Sequence, residues 1–180
     1  KGDKEVLPSS LSLQSIVEEC LPLASLLEEA SSFPSKLEEM FLLQKQLNDS
    51  TNGKNWELGL NKFNKEINWL RCIHMEVAEL IDSTPWKHWK NINSAPDMNN
   101  IHVELVDIWH FLMSYILQET NVPKAVSLVN THCIYEAAQS IDVNLIIKES
   151  EKLSYIALAI ETKNMPSFSG IERFIDQFFR

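Results

Sequence analysis

The sequence predicts an all-α protein, a bundle of about six or seven helices with a four-carboxylate metal site between two antiparallel helices. Three observations carry that expectation. Apolar residues recur at helical rather than alternating spacing through most of the chain. Glycine is scarce, four in 180 residues, against an ordinary usage of about 7%. That disfavours a many-stranded sheet with tight turns and a Gly-rich phosphate loop. Finally, one acidic helical pattern occurs twice, Ile73 in the first copy matching Ile101 in the second.

Taken in order, residues 1–10 are polar and carry Pro8. Residues 11–30 are helical in pattern, with a break near Pro22, because proline lacks a donor and clashes inside a helix. Ser31–Pro34 reads as a second break. Ser35 and Glu38 then form a capping box, opening a helix to about Asp49. Asn48–Trp56 reads as a loop with Asn52-Gly53 as its turn. Ile67–Ser83 is helical, with Ile73, Val77, Leu80 and Ile81 on one face, and Thr84-Pro85 ends it. Asn91–Asn100 is a polar linker in which Asp97 can cap a long helix, about Met98–Thr120. Pro123 suits the first turn of a helix over Val122–Ser140. Asp142 can cap another that runs to about Thr162. Asn164–Gly170 reads as a loop and Ile171–Phe179 as a short amphipathic helix. The expected organisation is an N-terminal extension over 1–33 and an all-α domain over 34–180.

Composition narrows the function. Apolar residues make up 44% and charged residues 23%, ordinary for a globular chain. The longest apolar run is Tyr155–Ile160, far too short to span a bilayer. The net charge of −9 repels a nucleic-acid backbone and disfavours a DNA or RNA binder. A nucleotide remains possible if cations stand between protein and phosphate. Cys20, Cys72 and Cys133 are scattered, with no CxxC pair. This argues against a disulfide framework or structural zinc and, with no signal peptide in evidence, fits a reducing, cytoplasmic setting.

The repeated pattern is the informative part. Ile73-His74-Met75-Glu76-Val77-Ala78-Glu79 and Ile101-His102-Val103-Glu104-Leu105-Val106-Asp107 share Ile-His-x-Glu-x-x-acid. Each places two carboxylates three residues apart on one helix face. A single ExxE on an acidic protein is most often a solvated stripe. The second helix is different: it is apolar nearly all round, so it is buried and takes Glu104 and Asp107 with it. Two carboxylates about 5 Å apart repel by roughly 3 kcal/mol at an effective dielectric of 20. Four cannot all stay ionised in a semi-buried place without cations. Protonation or a basic partner is the alternative, but Arg71 and Lys87 would be two cations against four anions. Oxygen-only ligation favours Mg²⁺, with Mn²⁺ as a substitute. Such an ion shares its shell with phosphate oxygens and supports in-line attack of water on phosphorus, with Glu76 or a neighbour as base.

ExxE on one helix and ExxD on the next resembles the signature of the all-α nucleoside triphosphate pyrophosphatases. Within them the sequence is most similar to the dimeric dUTPases. The residues carrying the resemblance are Leu43–Asp49 with Thr51-Asn52-Gly53, then Met75–Ser83, Pro85–Lys90 and Glu104–Phe111. It implies Mg²⁺-dependent hydrolysis of dUTP, and of dUDP, to dUMP with release of pyrophosphate or phosphate, by water attack on a metal-bound polyphosphate in a homodimer. Glu76, Glu79, Glu104 and Asp107 would be the metal ligands and Glu76 the water activator. Gln44 and Asn48 match the motif that reads the uracil edge. Their amides offer both donor and acceptor; without the resemblance they would read as the polar face of a surface helix. His110 stands where the family uses a residue near the nucleotide, the alternative being a core histidine with a satisfied partner. Lys87 could meet phosphate and His88 the nucleoside, against readings as a solvated lysine and a surface histidine. Trp86 and Trp89 read as core or dimer packing ahead of a base stack, and His74 and His102 as structural. The family's two closing motifs, rich in Lys, Asn, Arg, Gly and Tyr, are not found before Arg180; the expectation is that the part carrying them is either missing or disordered and outside this sequence. The competing functions are a pyrophosphatase of the same superfamily acting on dCTP or a damaged nucleotide, and a non-enzymatic helical interaction module.

Overall fold

The computed structural model describes residues 13–90, 93–132 and 142–179, with side chains from Ser32 onward. Six α-helices account for almost all of it: α1 (Leu13–Asn52), α2 (Trp69–Asp82), α3 (Met98–Glu119), α4 (Val122–His132), α5 (Val143–Glu161) and α6 (Ser167–Phe178). A 3₁₀ turn at Trp56–Leu58 and an isolated bridge between Leu60 and Glu66 fill the α1–α2 connection. The all-α expectation holds among the described residues. None of the described helices is long and apolar enough to cross a membrane. The chain divides into two units at Leu37, and the second, Glu38–Arg180, carries every candidate site residue.

Four boundaries differ from the sequence reading. The expected breaks at Pro22 and Ser31–Pro34 do not occur, because α1 runs through both prolines. Each proline removes one bond from the helical ladder, a loss a 40-residue helix absorbs. Ser35 does not cap; its hydroxyl donates back to the Ser32 carbonyl at 2.8 Å, a common alternative for serine inside a helix. The C-terminal end of α1 also lies later than expected. It stops at Gly53, whose φ of +86° is the left-handed conformation that ends helices cheaply only at glycine. Finally, α6 starts at Ser167 behind Pro166, not at Ile171. The expected helix over Val122–Ser140 is seen to His132, and the rest lies outside the described residues.

The core follows the apolar faces. On α2, Trp69, Leu70, Ile73, Val77 and Leu80 are buried, and α2 packs against both α3 and α5. Asn68 accepts from the Arg71 amide, capping α2, and its side chain also donates to Glu161 at 2.7 Å, tying α2 to α5. On α3 ten residues are buried, from Ile101 to Leu117. The expected caps form: Asp97 accepts from the Asn100 amide and Asp142 from the Asn144 amide. Within the second unit, the C-terminal part of α1 meets α3, with Phe41 edge-on to Trp109. Trp109 in turn stacks on Phe178 of α6.

Candidate active site

Two helices build the acidic centre. The start of α2 meets the far part of α3 through Trp69 and Phe111, and its end meets the beginning of α3, where the Asp97 amide donates to the Ser83 carbonyl at 2.9 Å. The two helices are therefore antiparallel, which sets Glu76 and Glu79 across from Glu104. One oxygen from each of these three carboxylates lies within 4.8 Å of the others. Ile73 and Val77 on α2 and Ile101 and Ile108 on α3 are buried beside them, while Glu104 is buried, Glu76 half-buried and Glu79 exposed.

The electrostatics are severe. Glu104 is 5% exposed. Burial, a hydrogen bond to Glu104 and the charges of Glu79, Glu104 and Asp107 push the Glu76 carboxyl up to about 7. The like charges crowd on one another, but Glu79 is exposed and its repulsion is screened by solvent. No base relieves it among the described ion pairs: Arg71 pairs with Glu161 and Lys87 with Asp82. Among the described residues Asn100 is a neutral donor at the cluster: its amide donates to Glu104 at 2.9 Å and to the Ser83 hydroxyl at 2.7 Å. An oxygen-only donor set with an unrelieved excess of negative charge fits a hard divalent cation. Asp107 stands one turn further along α3, half-buried; it is outside the trio yet close enough to act on Glu76.

A second polar group lies deeper, between α1 and α3. Gln44 and Asn48, expected on a surface face had the resemblance not singled them out, are 5% and 3% exposed. The Gln44 amide donates to Asn48 Oδ1 at 3.1 Å and to the Ser114 hydroxyl at 3.0 Å. Asn48 donates to the same hydroxyl at 3.0 Å. His110 Nδ1 lies 2.6 Å from Gln44 Oε1. The segment after α1 is anchored alongside, where buried Trp56 donates to Asp49 at 2.8 Å.

The remaining residues lie elsewhere. Lys87 pairs with Asp82 at the end of α2, and this contact, with the Trp86 indole, holds the Asp82 carboxyl below its usual range. His88 is exposed against the ring of Trp89. Trp86 and Trp89 pack on each other, 41% and 64% exposed, so the core reading of these two is corrected: the Thr84-Pro85 break turns them away from α2's buried face. Glu79, Asp82, Ser83, Thr84, Pro85, Asp97 and Asn100 line an open groove beside the acid cluster. His74 meets Ser154 at 3.2 Å. Sequence reasoning missed Asn100, Ser83 and Ser114. The helical register held a clue for two of them: Asn100 precedes Glu104, and Ser114 follows His110, by one turn.

No curated protein matches the chain. A family model described as dUTPase matches residues 36–177, a span that contains both the acid cluster and the buried amide network. The chain belongs to this all-α dUTPase family and is a dUTP diphosphatase.

Proposed function

We propose that the protein hydrolyses dUTP, and dUDP, to dUMP in a Mg²⁺-dependent reaction, by attack of water on the polyphosphate. The observation that carries this reading is the convergence of Glu76, Glu79 and Glu104, with no basic residue paired to them among the described residues. Glu76, Glu79, Glu104 and Asp107 would hold the metal, Mg²⁺ or Mn²⁺. When bound, such an ion neutralises phosphate charge and makes a coordinated water more acidic. Glu76 is the water activator: it stands with Glu79 and Glu104 in the trio, and a carboxylate can take the proton of an attacking water. Asn48 and Gln44, steadied by His110, read the uracil edge. Lys87 meets the phosphate by exchanging Asp82 for it, and His88 faces the nucleoside.

The acting form is a homodimer in the cytoplasm. Met40, Leu43 and Leu47 support the dimer: they are 40%, 56% and 48% exposed along one stripe of α1, while Phe41, Gln44 and Asn48 take the buried face. Leu43→Glu with Leu47→Glu should convert a dimer to monomer by analytical ultracentrifugation; an unchanged species contradicts this interface. The catalytic reading is tested with a nucleotide panel. Pyrophosphate release should be fast from dUTP and far slower from dCTP and dTTP. Equal rates would reject the uracil assignment.

A further inference from the structure

Ser114 is fully buried on α3 and touches three groups at once. Its hydroxyl lies 2.9 Å from the His110 backbone carbonyl, 3.0 Å from Gln44 Nε2 and 3.0 Å from Asn48 Nδ2. A hydroxyl has one proton and two lone pairs. The carbonyl can only accept, so the proton goes there, the usual bond of a serine to the carbonyl one turn back. Asn48 Oδ1 competes for that proton only from 3.4 Å. Both lone pairs of Ser114 then require N–H groups, and Gln44 and Asn48 must each turn their nitrogen towards it.

The consequences run outward from this one atom. Gln44 gives its second N–H to Asn48 Oδ1 and presents Oε1 to His110. His110 Nδ1 therefore carries a proton and donates it to Gln44 Oε1. Asn48 retains one N–H and one oxygen lone pair in defined positions. A side-chain amide is nearly symmetric in shape, so only its hydrogen bonds fix which end is which. Turned over, Asn48 would offer the reverse order of donor and acceptor. The two pyrimidines differ in this order: uracil sets a carbonyl beside N3–H, whereas cytosine sets an amino group beside a bare N3.

We infer that Ser114 is a positioning residue that fixes uracil over cytosine selectivity by locking the amide orientations of Gln44 and Asn48. This rests on the uracil reading proposed above. It touches no substrate itself, and it lies apart from the acid cluster.

The test compares kcat/KM for dUTP and dCTP, with Mg²⁺, in the wild type, Ser114→Ala and Ser114→Cys. Wild type should prefer dUTP. In Ser114→Ala the dUTP to dCTP ratio should fall by about ten-fold or more, through a higher KM for dUTP with kcat little changed. Ser114→Cys, a close fit in shape with a weak hydrogen-bonding group, should fall between the two and serves if the alanine variant does not fold. Nitrogen NMR of His110 gives a readout without turnover: protonated Nδ1 in the wild type, mixed tautomers in the variants. A uracil-selective wild type whose variants keep both the ratio and the tautomer overturns the lock and leaves the uracil reading standing. Equal loss of kcat on both nucleotides with the ratio intact marks a merely structural serine and also overturns it. A wild type indifferent to base removes the uracil reading, and the lock with it.

Discussion

At the scale of single residues, Glu76 concentrates the chemistry. Its replacement by glutamine removes a ligand and the base while keeping shape. Glu76→Gln should lower dUTP turnover by about a thousand-fold, within the range for losing a positioned proton acceptor, with an unchanged circular dichroism spectrum. Near wild-type turnover would remove Glu76 from the mechanism. The same carboxyl makes metal-free stability depend on pH. Its proton affinity is higher in the folded than in the unfolded state, so the folded state holds the extra proton. That contribution is complete below pH of about 4.5, the ordinary value, and is lost as pH rises through about 7. With chelator present, the melting temperature should fall across this window, and Glu76→Gln should flatten the fall. The carboxylates were legible from sequence because their spacing repeats. For Ser114 and Asn100 the sequence held only their one-turn spacing from His110 and Glu104; what they bond to depends on what another element sets against them.

At the scale of elements, the helices were legible wherever an apolar period met a clear cap. Asp97 and Asp142 start α3 and α5 as their positions imply. Local stop signals were a poorer guide in α1, where Pro22 and Pro34 interrupt a pattern that the helix nonetheless continues. A breaker weakens one or two backbone bonds, and the bonds on either side can outweigh it. Close approach is also invisible in sequence. A β-carbon on Gly170 would stand 2.5 Å from Ile160, where α6 crosses α5. Gly170→Ala should therefore destabilise the protein by about 1–3 kcal/mol. That lowers the melting temperature by several degrees while turnover per folded molecule stays unchanged, since α6 carries no proposed ligand. An unchanged melting temperature would show that the two helices do not meet so closely.

At the scale of the whole molecule, an acidic chain is assigned a polyanionic substrate. A cation between protein and phosphate would resolve the contradiction, and the antiparallel pair α2 and α3 offers a place that could hold one, where oxygens of Glu76, Glu79 and Glu104 lie within 4.8 Å of one another. Hydrophobic burial holds the two helices together: each apolar side chain removed from water contributes about 1.5–3 kcal/mol, and Ile73, Val77, Leu80, Ile101 and Ile108 are all buried. The family match places the chain among dUTPases, and the dependence on metal is the part most open to direct trial. The decisive measurement is pyrophosphate release from dUTP in Mg²⁺, then in excess chelator, then after Mg²⁺ is restored. Turnover should vanish with the chelator and return with the ion; an equal rate in chelator would mean that Glu76, Glu79 and Glu104 do not work through a metal.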